Sequence, residues 1–219
     1  MDSRTHLHRR VPALGKLRTP YKYTFTKDPH LLNAYYKIRA ECYRSVENGP
    51  GDFSYEADKL DTISDILVVS LHGRIVGGAR LAGSKESYRI TLPVETGNFR
   101  MANVLPHLQL ENKNICEFGR IAIAPEHRSF SVLESLCEKL IRRAIRQGYH
   151  YQFSMAPKAQ ARCYRRVGSK LKLPYPYIIH ENIDVPCKPQ EETGNLKMYL
   201  GSLQLPASLP QNASDREAA

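Results

Sequence analysis

Along this chain the spacing of hydrophobic positions switches between a two-residue and a three-to-four-residue period, and the switches mark the elements. Tyr21 to Thr26 alternates as a short strand does, and Asp28 with Pro29 beside it forms a helix start. Leu31, Leu32, Tyr35, Ile38, Cys42 and Val46 recur at helical spacing until Asn48-Gly49-Pro50-Gly51 ends the pattern. Asp65 to His72 and Arg74 to Leu81 flank Gly73 and read as a β-hairpin. From Ser84 to Leu110 the pattern is irregular, punctuated by Pro93, Gly97 and Pro106, with a short helix expected over Phe99 to Leu108. Val132, Leu133, Leu136, Cys137, Leu140, Ile141, Ala144 and Ile145 form the apolar stripe of a helix closed by Gly148, and Lys139, Arg142, Arg143 and Arg146 make much of its other side basic. Tyr149 to Met155 reads as a strand and Lys158 to Val167 as a shorter helix ending at Gly168. An extended region then runs to Val185, and a last strand lies near Leu196 to Leu203.

The run that breaks the pattern is Asn114 to Pro125, N-I-C-E-F-G-R-I-A-I-A-P. Its isoleucines and closing proline indicate a strand, and apolar residues on both faces from Ile121 to Ala124 place that strand centrally. Glu117 and Arg120 sit inside it. Charges in a core strand are costly unless paired or set where a cleft opens, so the two form either a structural salt bridge or a working site. A second charged stretch, Asp52 to Asp61, holds Glu56, Asp58 and Asp61 where one short turn brings them together; adjacent carboxylates repel, so arginines are expected beside them, with Arg39 and Arg80 as candidates. Strand, helix, hairpin, central strand, helix, strand, helix, strand is the order of an α/β sandwich, helices packed on a mixed central sheet. One domain is expected over residues 21–203, with a basic N-terminal tail at 1–20 carrying Arg4, Arg9, Arg10 and Arg18, and a polar, disordered C-terminal tail at 204–219.

Charge and cysteine usage narrow the function classes. A formal net charge of +10 implies an acidic partner: nucleic acid, an anionic membrane surface or an acidic protein. No run approaches the roughly 18 apolar residues of a membrane helix. Cys42, Cys116, Cys137, Cys163 and Cys187 are an odd, scattered set without a C-x-x-C pair, which argues for reduced thiols and against a disulfide framework or zinc site. The eight histidines show no metal spacing. The reading is therefore a soluble, cytoplasmic protein with no metal. Nucleic-acid binding is disfavoured, because the tyrosines are dispersed and no recognition motif is present.

Arg39 with Tyr43, Glu56-x-Asp58-x-x-Asp61, Arg80-Leu81, Leu105-Pro106-His107-Leu108 and Glu117-x-x-Arg120, in that order and at similar spacings, resemble the pattern of the acyl-homoserine-lactone synthases over about Arg39 to Ala124. Those enzymes have the fold of the GCN5-related N-acetyltransferases, which the resemblance implies here. The synthases usually carry a tryptophan shortly before the acidic cluster; this chain has none, and Phe53 is the nearest aromatic. In that respect it is more similar to the long-chain N-acyl amino acid synthases, including the N-acyl tyrosine synthases of soil bacteria. Both groups imply transfer of a fatty acyl chain from a phosphopantetheine thioester to an amine. No further cofactor is implied. The favoured product is an N-acyl amino acid, with tyrosine as leading acceptor; the alternative is a homoserine lactone made from S-adenosylmethionine.

Acetyltransferases that use coenzyme A carry Arg/Gln-x-x-Gly-x-Gly/Ala after the central strand, because glycines let backbone amides close on a pyrophosphate. Here the segment is Arg128-Ser129-Phe130-Ser131-Val132-Leu133, with Ser131 and Leu133 in the glycine positions. A pyrophosphate fits that loop poorly, whereas an acyl carrier protein presents a single phosphodiester and an acidic surface that Arg128, Arg142, Arg143 and Arg146 would match. An ordinary solvated helix face is the other account of those arginines. The resemblance implies Glu117 as base or amine-holding group. Backbone amides at Ile121, Ala122 and Ile123 would polarise the thioester, and the acyl arm would lie against Tyr149 to Met155, Phe153 included, with Arg128, Ser129 and Ser131 near the pantetheine. Arg39, Arg80 and Arg120 would bind the acceptor's carboxylate or organise Glu56, Asp58 and Asp61. A-R-C-Y-R-R-V-G resembles the acetyltransferase segment whose tyrosine protonates the leaving thiolate, which nominates Tyr164; plain packing is its other reading. Cys116 and Cys163 have no adjacent histidine, and direct transfer needs no acyl-enzyme.

Overall fold

The structure, a computed structural model, describes residues 20–44, 55–185 and 197–209. Seven strands form one sheet: β1 (Tyr21–Thr26), β2 (Asp65–Leu71), β3 (Arg74–Ser84), β4 (Ile115–Ile123), β5 (Tyr151–Pro157), β6 (Ile178–His180) and β7 (Met198–Gln204), in the order β1-β2-β3-β4-β5-β7-β6. All neighbours are antiparallel except β4 and β5. That one parallel pair requires a crossover, and helix α4 (Phe130–Arg146) supplies it.

Helices cover both faces. Alternation along β3 sends Ala79 and Leu81 to one side, where they pack with Val132, Leu136, Leu140, Ile141 and Ala144 of α4 and Ala161, Tyr164 and Val167 of α5 (Lys158–Lys170). On the opposite side Tyr35 and Tyr36 of α1 (Pro29–Arg44) pack on Ile66, Val68 and Ala122, and next to them the β3–β4 connection lays Leu92, Val94, Met101 and Leu105 over Ala82, Ile115 and Phe153. Arg39, Arg80 and Glu117, three of the nominated site residues, lie on this second face. α4 is fixed at both ends: the Ser129 hydroxyl accepts the Val132 amide, and Gly148 at φ +74° closes the helix, its amide bonding Ile145 while that of Tyr149 bonds Ala144.

Several boundaries differ from the sequence reading. The helix expected over Phe99 to Leu108 is broken into α3 (Met101–Val104) and a 3₁₀ turn at Pro106–Leu108, since Pro106 lacks the amide an unbroken helix needs. α5 passes through Gly168 to Lys170, held by buried Val167 and Leu171 on either side of the glycine. β5 begins only at Tyr151, because the α4 cap uses Gly148 and Tyr149. The acidic stretch contains a five-residue helix, α2 (Lys59–Ile63), and the extended region after α5 contains β6. β7 runs to Gln204, Leu205 is buried and Leu209 packs on the core, so the folded unit extends past 203. The expected tail at 1–20, apart from Pro20, and most of that at 204–219, with Val46, the helix-ending Asn48 to Gly51, Phe53 and Cys187, lie outside the described residues. Among the described residues Cys42, Cys116, Cys137 and Cys163 form no disulfide, no group of three or more ligand side chains is placed for a metal, and no helix is long and apolar enough to cross a membrane.

Candidate active site

The site forms where β4 leaves β5. Parallel pairing runs from Ile115 opposite Tyr151 to Phe118 opposite Ser154 and stops there, while β5 stays paired with β7 as far as Pro157. On its other side β4 remains paired with β3 up to Ile123, so the two parallel strands diverge after Phe118. A wedge therefore opens between Ile121 to Ile123 and the end of β5.

A bulge sits at the same point. Gly78 pairs with Ala122 and Arg80 with Gly119, which leaves Arg120 and Ile121 together opposite Ala79. Arg120 takes φ +54°, a left-handed conformation that costs a non-glycine residue about 1 kcal/mol or more. The extra residue reverses the alternation of the strand: Ile115 and Glu117 face the α1 side before it, and Ala122 faces that side after it. Buried Tyr35 holds the bulge, its hydroxyl donating to the Arg120 carbonyl at 2.5 Å. Gly78 makes room for that ring, since a Cβ there would lie 2.7 Å from Tyr35 Cδ2.

Beside the bulge, the arginines and carboxylates that the sequence nominated meet one another. Arg39 Nη1 contacts Asp61 Oδ2 at 2.8 Å and Arg39 Nη2 donates to the Glu56 carbonyl at 3.1 Å. Arg80 Nη1 reaches both Asp58 oxygens at 2.7 Å and Asp61 Oδ1 at 3.0 Å. Asp58 also caps α2, accepting the Leu60 and Asp61 amides, while the Asp61 carboxylate accepts the Asp58 amide in return. Burial alone would raise the Asp58 carboxyl, but the charge and hydrogen bond of Arg80, the Asp61 amide and the charge of Arg120 outweigh it and hold it below the ordinary range. Arg39, Arg80 and Asp61 are buried with their charges spent on each other. Arg120 differs: its side chain is 37% exposed, 3.6 Å from Asp58, with its guanidinium over the Tyr43 ring.

Glu117 lies on the same face, 5% exposed, in the last stretch of β4 that β5 still covers. Its Oε2 accepts the Val94 amide at 2.8 Å. Desolvation pushes its carboxyl up to about 7, against the Val94 hydrogen bond and the charges of Arg80 and Arg120, and Glu95 adds to the rise. A group poised there exchanges protons near neutral pH.

The remaining nominated residues are not all in the wedge. Tyr164 is fully buried, its ring centroid 6.4 Å from Phe118 and 5.5 Å from Tyr177, and its hydroxyl meets the Gln160 amide at 3.2 Å; the structure places it in the main core, beneath the point of divergence. Arg128 turns inward, Nε donating to the Ile123 carbonyl at 2.9 Å and Nη2 touching Cys42 Sγ at 3.5 Å. Ser129 and Ser131 share a hydroxyl contact of 3.1 Å at the start of α4. Phe153 is fully buried opposite Glu117 on β5. Sequence reasoning assigned Tyr35 only to a helix stripe and did not single out Val94 or Glu95. The length and hydrogen-bonding end of Tyr35 on a buried face were its one available signal.

The mixed sheet with its single diverging parallel pair, the bulge there and the helices on both faces make this the fold of the GCN5-related N-acetyltransferases, and residues 38–138 match the family model of the acetyltransferase (GNAT) domain. Among solved structures the chain is similar to the acyl-homoserine-lactone synthase LasI at 15% identity and a TM-score of 0.55, over 88% of this chain and 92% of that one. It is also similar to FeeM, an N-acyl amino acid synthase from uncultured soil microbes (12% identity, TM-score 0.50, 85% of this chain and 91% of that one). An N-acetyltransferase structure from Lactobacillus plantarum gives 13% identity and a TM-score of 0.54, over 86% of this chain and 100% of that one. At these identities the likeness is one of fold. A comparison with curated proteins gives no match.

Proposed function

We propose that the protein is an N-acyltransferase that moves a long acyl chain from a pantetheine thioester to the amino group of an amino acid, with tyrosine as the leading acceptor. The observation that carries this reading is Glu117, a buried carboxyl poised at about 7 beside the diverging strands. The amine nitrogen attacks the thioester carbonyl, the carbon–sulfur bond breaks, and the amine proton passes to Glu117 while the pantetheine sulfur leaves as thiolate. A thiolate is a good enough leaving group to need little acid assistance, so Tyr164 can serve as packing without cost to the mechanism. The edge of β4 that β5 has left, Ile121 to Ile123, offers backbone amides for the developing oxyanion.

Arg120 supports an acceptor carrying a carboxylate. Among the site arginines Arg39 and Arg80 are consumed by Asp58 and Asp61, whereas Arg120 is part exposed beside Glu117's face. An amino acid whose carboxylate meets Arg120 would present its amine toward Glu117. The filled glycine positions at Ser131 and Leu133 favour a carrier protein over coenzyme A as donor.

The test is turnover of long-chain acyl carrier protein and acyl-coenzyme A with a panel of amino acids, reading free thiol and the product by mass spectrometry. N-acyl tyrosine, formed faster from the carrier donor, is the expected result. An acyl homoserine lactone formed from S-adenosylmethionine would replace this reading with the lactone synthase, and thioester left intact under every combination would reject an acyltransferase.

A further inference from the structure

The site face is covered by the β3–β4 connection, whose Leu92, Val94 and Met101 are buried in one apolar cluster with Ala82, Ile115, Phe153 and Leu200. Buried backbone of this kind needs a partner for each amide, and one side chain supplies two of them. Glu95 Oε2 accepts the Leu92 amide at 3.2 Å and Glu95 Oε1 accepts the Met101 amide at 3.0 Å, while its own amide donates to the Leu92 carbonyl at 2.8 Å. Thr96 bonds back to Val94 and Phe99 to Thr96, so residues 92–101 form a closed loop with the Glu95 carboxylate across its neck. Val94 stands between the tied ends, and its amide donates to Glu117 Oε2 at 2.8 Å.

We propose that Glu95 is a positioning residue: by closing the 92–101 loop it fixes the Val94 amide on Glu117 Oε2 and so leaves Glu117 Oε1 as the oxygen that takes the acceptor's proton. A carboxylate is a directional base, and a side chain free to turn would present either oxygen. With Oε2 tied to backbone, the orientation of the carboxyl is set before substrate arrives. Gly119 keeps the approach to the other oxygen open, since a Cβ there would stand 3.6 Å from Oε1. The charged groups facing Glu117 are Glu95 from the loop, Arg80 from β3 and Arg120 from β4; the first favours its protonated form and the two arginines its ionised form, as does the Val94 amide. This inference rests on the reading of Glu117 as the proton acceptor.

Glu95→Gln in the full chain separates the two ideas. An amide has one accepting oxygen and turns its NH₂ toward the second backbone N–H, so the neck opens while size is kept. In the parent protein the Val94 amide proton, followed by NMR, is expected to shift with the Glu117 titration and to exchange slowly with solvent. In Glu95→Gln it should exchange fast and cease to follow that titration, with kcat for thioester aminolysis down about 10-fold to 100-fold and KM for both substrates little changed. Glu95→Asp keeps the charge but lacks the reach, and should show the same decoupling; it carries the test if Glu95→Gln does not fold. A Val94 amide that still follows Glu117 in these variants overturns the inference, as does decoupling with kcat unchanged. Full turnover by Glu117→Gln, even with Val94 decoupled in the Glu95 variants, would instead remove the proton-acceptor reading and take the positioning role with it.

Discussion

A carboxyl held near 7 makes opposite demands on activity and on stability, and Glu117 shows both. For proton acceptance it must be ionised, so kcat/KM for aminolysis should rise with pH through about 7 and level above it. For folding, the native state binds a proton more tightly than the unfolded chain, whose value is 4.5, so the unfolded state is favoured increasingly as pH rises from 4.5 to about 7. The native state therefore loses about 3 kcal/mol over that window through this one group. Glu117→Gln removes the ionisation and should flatten that part of the stability profile, making the variant more stable than the parent at pH 8 while abolishing the pH-dependent limb of turnover. Denaturant titrations of both proteins at pH 5 and pH 8 measure it. Equal dependence on pH in parent and variant would show that Glu117 is not the group responsible.

At the scale of elements, β4 and its bulge set the geometry of the candidate site. Tyr35 and Gly78 are two halves of one device: the ring reaches the Arg120 carbonyl across the space that a side chain at 78 would fill. Gly78→Ala places its methyl against both Tyr35 and the Leu67 carbonyl at 2.6 Å, and overpacking of this kind costs about 1–3 kcal/mol. Tyr35→Phe keeps the packing, strips the hydrogen bond from the part-buried Arg120 carbonyl and costs about 1 kcal/mol or more. Chemical denaturation should find both variants destabilised, and a Gly78→Ala protein as stable as the parent would show that the bulge adapts. The strand itself was legible because an apolar run interrupted by Glu117 and Arg120 and closed by Pro125 fits few alternatives. The bulge was not. Apolar residues on both faces after Ile121 read as central burial, whereas part of that pattern comes from the reversal of alternation at Arg120, and a single extra residue leaves no composition signal. The ion pairs were anticipated in kind, from repulsion among Glu56, Asp58 and Asp61, but α2 was missed because a five-residue helix is too short to show a period and depends on the Asp58–Asp61 capping box. Glu95 was invisible for a different reason: its partners are backbone amides, which carry no residue identity.

Charge belongs to the whole molecule. Arg142 is paired with Glu138 at 3.0 Å and Arg143 with Asp65 at 2.8 Å, so the basic side of α4 is partly neutralised within the fold, and Arg128 faces inward. What remains is the excess of cations over the entire chain, +10, which acts at long range. Such a field speeds encounter with an acidic carrier more than it tightens the complex. Salt should therefore discriminate between donors that share one reactive group. Moving from about 0.02 M to about 0.5 M salt shortens the screening length several-fold, and kcat/KM with acyl carrier protein is expected to fall about tenfold or more, through KM. The same chain length delivered as an uncharged acyl-pantetheine fragment meets the same Glu117 without the protein surface, and its kcat/KM should change less than about twofold. Parallel loss with both donors would place the salt effect in the active site, on the part-exposed Arg120 and Asp58, and would deny the carrier protein any steering role.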